Sequence, residues 1–127
     1  MKLLLAILML GNTAIFVLGA LQHAGLVIGP LHEPVIIGAT VVEMLCGLAL
    51  VWGVAAVLKG SPRAWRRALI ANLIVIGGVA FGMVALGLGA GPRTASNDLY
   101  HKIMLALAAA SIVILALPSG RTVLTRH

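Results

Sequence analysis

The chain has 127 residues, of which 61% are hydrophobic and 9% charged. A soluble domain carries roughly 25% charged residues, and one this short cannot bury so much apolar surface against itself. The net charge of +6 does not indicate nucleic acid, because the nine Lys and Arg flank apolar runs without forming a basic helix face or an aromatic-basic alternation.

Four apolar stretches follow one another, at residues 3–22, 34–58, 67–90 and 98–117. Each is near the ~20 residues a helix needs to cross a ~30 Å hydrocarbon core. Four strands cannot close a barrel without leaving backbone unpaired in lipid, so helices are the expected spans. The expected fold is an all-α integral membrane protein, a single transmembrane domain over residues 1–127.

The first stretch follows Met1-Lys2 and carries Asn12 and His23, 11 residues apart and so on one helical stripe. Its apolar length exceeds the 7–15 residues of a secretory signal core, which makes it helix one. The loop to helix two holds His32, Glu33 and Pro34, with Glu33 at a cap position and Pro34 in the first turn. Helix two carries Thr40, Glu43 and the lone Cys46, which reads as a small buried hydrophobe. Counted from Pro34, Glu43 lies about 14 Å deep, close to the bilayer midplane, where a carboxyl group is costly and must face the interior. Asn12 at a comparable depth is its expected hydrogen-bond partner, with Thr40 one turn away.

Gly60-Ser61-Pro62 ends helix two, and Trp65 follows as an interfacial anchor. Helix three contains the Gly78-x-x-x-Gly82 pair, suited to close approach within the bundle or to a partner protein or second copy. Gly89, Gly91 and Pro92 end it. Ser96-Asn97-Asp98 offers caps for helix four, which carries His101, and Pro118-Ser119-Gly120 closes that helix. Short loops make neighbours antiparallel, so an up-down-up-down four-helix bundle is expected. Lys2, Lys59, Arg63, Arg66, Arg67, Arg121 and Arg126 fall on one side, with Arg93 and Lys102 on the other. That bias places both termini on the cytoplasmic face of the cell (inner) membrane, N-in and C-in.

His23, His32, Glu33, Asp98 and His101 all fall at the outer edge. Imidazoles and carboxylates are the donor set of metal sites, so His23, His32, Glu33 and His101 form a candidate site for a transition metal. His23 and His101 from different helices are candidate axial ligands of a haem. The leading expectation is therefore a small non-enzymatic membrane protein in contact with the lipid bilayer, a subunit or accessory of a larger assembly, with this outer polar site. The alternative is a proton- or cation-coupled transporter centred on Glu43 with Asn12 and Thr40. A quinone-linked membrane redox enzyme ranks last, since its only support is histidine near a bilayer edge. No nucleophile elbow, phosphate-binding loop or Cys-x-x-Cys is present.

Overall fold

The structure, a computed structural model, describes residues 1–28 and 33–125. It is all-helical, with five helices and no strand among the described residues: α1 (Lys2–His23), α2 (Ile37–Leu58), α3 (Ala64–Gly87), α4 (Ala95–Ala116) and α5 (Pro118–Thr125). The first four are long and apolar enough to cross a membrane. Each packs on its sequence neighbour, and α1 also packs on α4, closing the ring. Leu5, Met9, Phe16, Leu50, Val75, Met104 and Leu115 fill the shared core. Large apolar side chains such as Leu48, Leu73, Phe81 and Val113 point outward, an arrangement that suits hydrocarbon as the surrounding solvent.

Small residues set the spacing of α2 and α3. A Cβ on Gly53 would stand 3.0 Å from Cβ of Ala71 and 2.7 Å from Cε of Met9. Gly78 works the same way, since a Cβ there would stand 2.5 Å from Sγ of Cys46. The Gly-x-x-x-Gly pair thus serves packing inside the bundle, with Gly78 against α2 and Gly82 facing His101 of α4.

The helix ends explain the boundaries. α1, α2 and α3 each stop at a glycine with positive φ: Gly25, Gly60 and Gly89. At α3 the amide of Gly89 donates to Leu86 O and that of Ala90 to Ala85 O, the two bonds of a Schellman cap. α2 starts at Ile37, not at Pro34, because residues 33–36 are tied to the end of α1. The amide of Ile36 donates to His23 O at 3.0 Å, and Pro34 O accepts from the His23 ring at 3.0 Å. Both bonds need extended backbone. The expected placement of Glu33 at the cap and Pro34 in the first turn of this helix is therefore corrected.

α4 starts earlier than expected, and Thr94 caps it in place of Ser96, Asn97 or Asp98. Its Oγ1 accepts from the amide of Asn97 at 3.0 Å. Pro118 does not merely terminate α4. It opens α5, a helix absent from the sequence expectation, in which proline occupies the first position where its missing N–H costs nothing. Gly120 allows α5 to fold back closely on Ile114 O.

The basic residues gather where four helix ends meet. Lys2 Nζ donates to Leu58 O at 3.2 Å. Trp65 is more than an anchor, since its indole N–H donates to Leu115 O at 2.8 Å, one of the carbonyls left open at the end of α4. Arg121 lies over the Trp65 ring and Arg67 over the Trp52 ring, at 5.2 and 5.3 Å from the centroids.

Candidate functional site

The opposite end, termed here the rim, carries His23, Glu33, Arg93, Asp98 and His101, while His32 lies outside the described residues. The rim holds two separate polar groups.

The first joins the loop before α2 to the start of α4. Glu33 Oε2 accepts from the Thr94 hydroxyl at 2.7 Å, and Glu33 Oε1 accepts from the Ser96 hydroxyl. The carboxylate so placed sits on the amino-terminal end of α4, where the helix dipole favours negative charge. Glu33 is therefore a cap partner of α4, not of α2, and both its oxygens are engaged. Arg93 and Asp98 form an exposed bidentate pair beside it, with Arg93 Nε 2.9 Å from Asp98 Oδ1. The carboxylate of Asp98 holds the Arg93 guanidinium above its already high ordinary value. Thr94→Ala removes a helix cap together with a hydrogen bond to a buried carboxylate. It is expected to cost about 2 kcal/mol of unfolding free energy, measured by thermal or denaturant unfolding in detergent, whereas Ser96→Ala should cost less.

The second group is intramembrane. Glu43 is buried, 4% exposed, and sits only six residues past the first residue of α2. That is about 9 Å along the helix, so the carboxyl lies nearer the rim than the expected midplane position. Asn12 lies 11 residues from the end of α1, about 16 Å, and is too deep to reach it. The expected Asn12–Glu43 bond is thus absent. Asn12 Nδ2 donates instead to Met104 O at 3.2 Å, and the Thr40 hydroxyl turns back to Ile36 O at 3.3 Å.

What stands beside Glu43 is His23 and Tyr100. His23 Nε2 is 3.6 Å from Glu43 Oε1, and the Tyr100 hydroxyl is 3.4 Å from the same oxygen. The hydroxyl also lies 3.0 Å from Ile15 O. It has one hydrogen, so it donates to either Ile15 O or Glu43 Oε1. His23 Nδ1 faces Pro34 O, and a carbonyl only accepts, which fixes the proton on Nδ1. A Cβ on Gly19 would stand 1.4 Å from the Tyr100 hydroxyl oxygen, so only glycine leaves room for this side chain. Tyr100 was not singled out from the sequence. The signals that point to it are that it is the only tyrosine, two residues after Asp98, and that a glycine breaks the apolar run of α1 at position 19.

Two cavities of about 310 Å³ flank this cluster. Glu43 and His101 line the one among α2, α3 and α4, whereas His23, Glu33 and Tyr100 line the one between α1 and α4, and Asn97 lines both. Glu43 Oε2 and Asn97 Oδ1, on residues that line the first cavity, are buried atoms without a hydrogen-bond partner.

Of the residues expected to form a metal site, the three described ones, His23, Glu33 and His101, take up separate places at the rim. Both ring nitrogens of His23 face other groups, Glu33 is saturated, and His101 lines a different cavity from His23. Among the described residues no group of three or more His, Cys, Asp or Glu is placed to hold a metal ion. No protein-family model, curated protein or solved structure matches this chain.

Proposed function

We propose that this is a small multi-pass protein of the cell's inner membrane whose working element is Glu43, a carboxyl that exchanges a proton for a cation. In this reading the spans run up-down-up-down with both termini cytoplasmic. Supporting that orientation, Lys2, Lys59, Arg63, Arg66, Arg67 and Arg121 cluster at one end and only Arg93 and Lys102 lie towards the other, among the described residues.

The observation that carries the reading is the His23–Glu43–Tyr100 cluster. With Nδ1 already protonated, one further proton resides on either His23 Nε2 or Glu43, whose nearest atoms are 3.6 Å apart. The pair is then either imidazolium and carboxylate or imidazole and carboxylic acid, neutral in both forms. Loss of that proton leaves one negative charge among apolar helices, at a cost of several kcal/mol unless a cation replaces it. Proton release and cation arrival are coupled for that reason. Tyr100 serves both states: its hydrogen turns to Glu43 Oε1 when the carboxylate is ionised, and to Ile15 O when it is not. Intramembrane carboxyls and histidines are the groups that pumps and carriers use for such relays.

The test is collapse of an imposed pH gradient in proteoliposomes, with sodium, potassium or tetraethylammonium as the exchanging cation. Wild-type protein is expected to dissipate the gradient with at least one of them, and Glu43→Gln to fall at least tenfold, towards protein-free vesicles. Equal rates for Glu43→Gln and wild type, with both proteins monodisperse, would overturn the reading.

A further inference from the structure

The cavity among α2, α3 and α4 is not explained by the cluster on its other side. Its walls are mostly apolar, built from Phe16, Ile36, Val42, Val79 and Leu86 among others. Three buried polar side chains interrupt them: Glu43, Asn97 and His101, which are 4%, 3% and 7% exposed. Two of them, Glu43 and Asn97, keep one atom without a partner, Oε2 and Oδ1. An unmade hydrogen bond in such surroundings is unfavourable, so two at one cavity favour a ligand that completes them. Both atoms, the carboxyl and amide oxygens, can accept from a donor. Phe81 marks the wall on the outward side, where it is 64% exposed towards the surroundings.

We infer that this cavity binds an amphipathic amine, an aromatic or branched apolar body bearing one cationic nitrogen with N–H donors. The body replaces empty space along the apolar walls, and the nitrogen gives hydrogen bonds to Glu43 Oε2 and Asn97 Oδ1. The cavity volume falls at the small end of the range for ligand sites, which suits a one- or two-ring amine. A quinone or other carbonyl compound brings only acceptors, which neither the ionised Glu43 carboxylate nor Asn97 Oδ1 can satisfy. The inference rests on the proposed exchange at Glu43: entry of the ammonium leaves the carboxylate paired with it, and one proton departs from the His23–Glu43 pair.

The probe is 1-naphthylmethylamine, followed by its own fluorescence on purified protein in detergent. 1-Methylnaphthalene, which has the same rings and no nitrogen, and 1-naphthoate, which has the opposite charge, are the controls. The amine is expected to bind at least tenfold more tightly than either. Its affinity should fall at least tenfold in Glu43→Gln. It should fall equally in Gly82→Leu, which fills the cavity from α3, where a Cβ meets only His101 Nε2 at 3.7 Å. Binding should also release a proton, detected as a dependence of the heat of binding on buffer ionisation. Equal affinity for methylnaphthalene makes the cavity a simple apolar hole, or a berth for a lipid chain, and overturns the inference. So does amine binding that survives Gly82→Leu. Gradient collapse by wild type with no preference for the amine would refute the ligand class and leave exchange at Glu43 standing. Amine binding without proton release would do the reverse.

Discussion

Gly19→Ala is expected to destabilise the protein by about 3 kcal/mol, one of the two largest single-site effects in the fold. Its methyl group would fall 1.4 Å from the Tyr100 hydroxyl oxygen and 2.4 Å from Cζ, so the ring must leave. Overpacking of a filled core costs about 1–3 kcal/mol by itself. The displaced phenol also loses its hydrogen bond, to Ile15 O or to Glu43 Oε1, while remaining among apolar groups. Gly11 is the control, because nothing lies within 4 Å of a Cβ built there. Gly11→Ala should be neutral or slightly stabilising, since alanine is the better helix former. Replacing Tyr100 by leucine shortens the side chain, and Gly19→Ala in that background should cost far less than in wild type. Denaturant unfolding in detergent of the four proteins of this cycle gives the coupling, expected at about 1–3 kcal/mol. Additive single effects would mean that Tyr100 does not occupy the groove over Gly19.

The Gly19–Tyr100 contact also shows where sequence reading stops. The four long helices were legible because their apolar runs match the thickness of a bilayer, a one-dimensional property. The ends of α2 and α3 were legible too, since Gly60 and Gly89 mark the caps that close them. The start of α2 was not, because His23 of α1 holds residues 33–36 extended, its ring bonded to Pro34 O and its carbonyl accepting from the amide of Ile36. That three-residue error moved Glu43 towards the midplane and gave it Asn12 as a false partner. Glu33 was misassigned for a related reason. A carboxylate next to a proline looks like a cap for the helix that follows in sequence, but the helix start it meets in space is that of α4. Local signals located the glycine-closed ends of α2 and α3 and say little about which end faces which group. Glu43 itself stood out because a carboxyl in an apolar run is costly wherever it lands.

The same cost predicts the second large effect. His23→Leu is expected to lower stability by about 3–5 kcal/mol, the range for removing one partner of a buried charged pair. Ordinary hydrogen bonds between spans average only about 0.6 kcal/mol, so a loss of that smaller size would mean that His23 and Glu43 share no charge. Two terms add in the larger figure. The carboxyl group loses its neutralising neighbour, and the loop bond to Pro34 O, which helps hold the start of α2 on the end of α1, disappears. Glu43→Gln separates them. The amide keeps the shape of the side chain and can still accept from Tyr100, so that variant alone should cost about 1 kcal/mol or less, near the value of one neutral hydrogen bond. Adding Glu43→Gln to His23→Leu should then restore most of the lost stability, since the buried group no longer carries a charge to strand. The residue of the deficit measures the Pro34 bond. Thermal unfolding of the two single variants and the double variant in detergent resolves this, and a double variant less stable than His23→Leu alone would show that the pair is held together by something other than the proton on one of its members. Restored stability with abolished proton exchange is the combination that a working carboxyl predicts, because the glutamine that relieves the fold of its charge is also the group that can no longer release a proton.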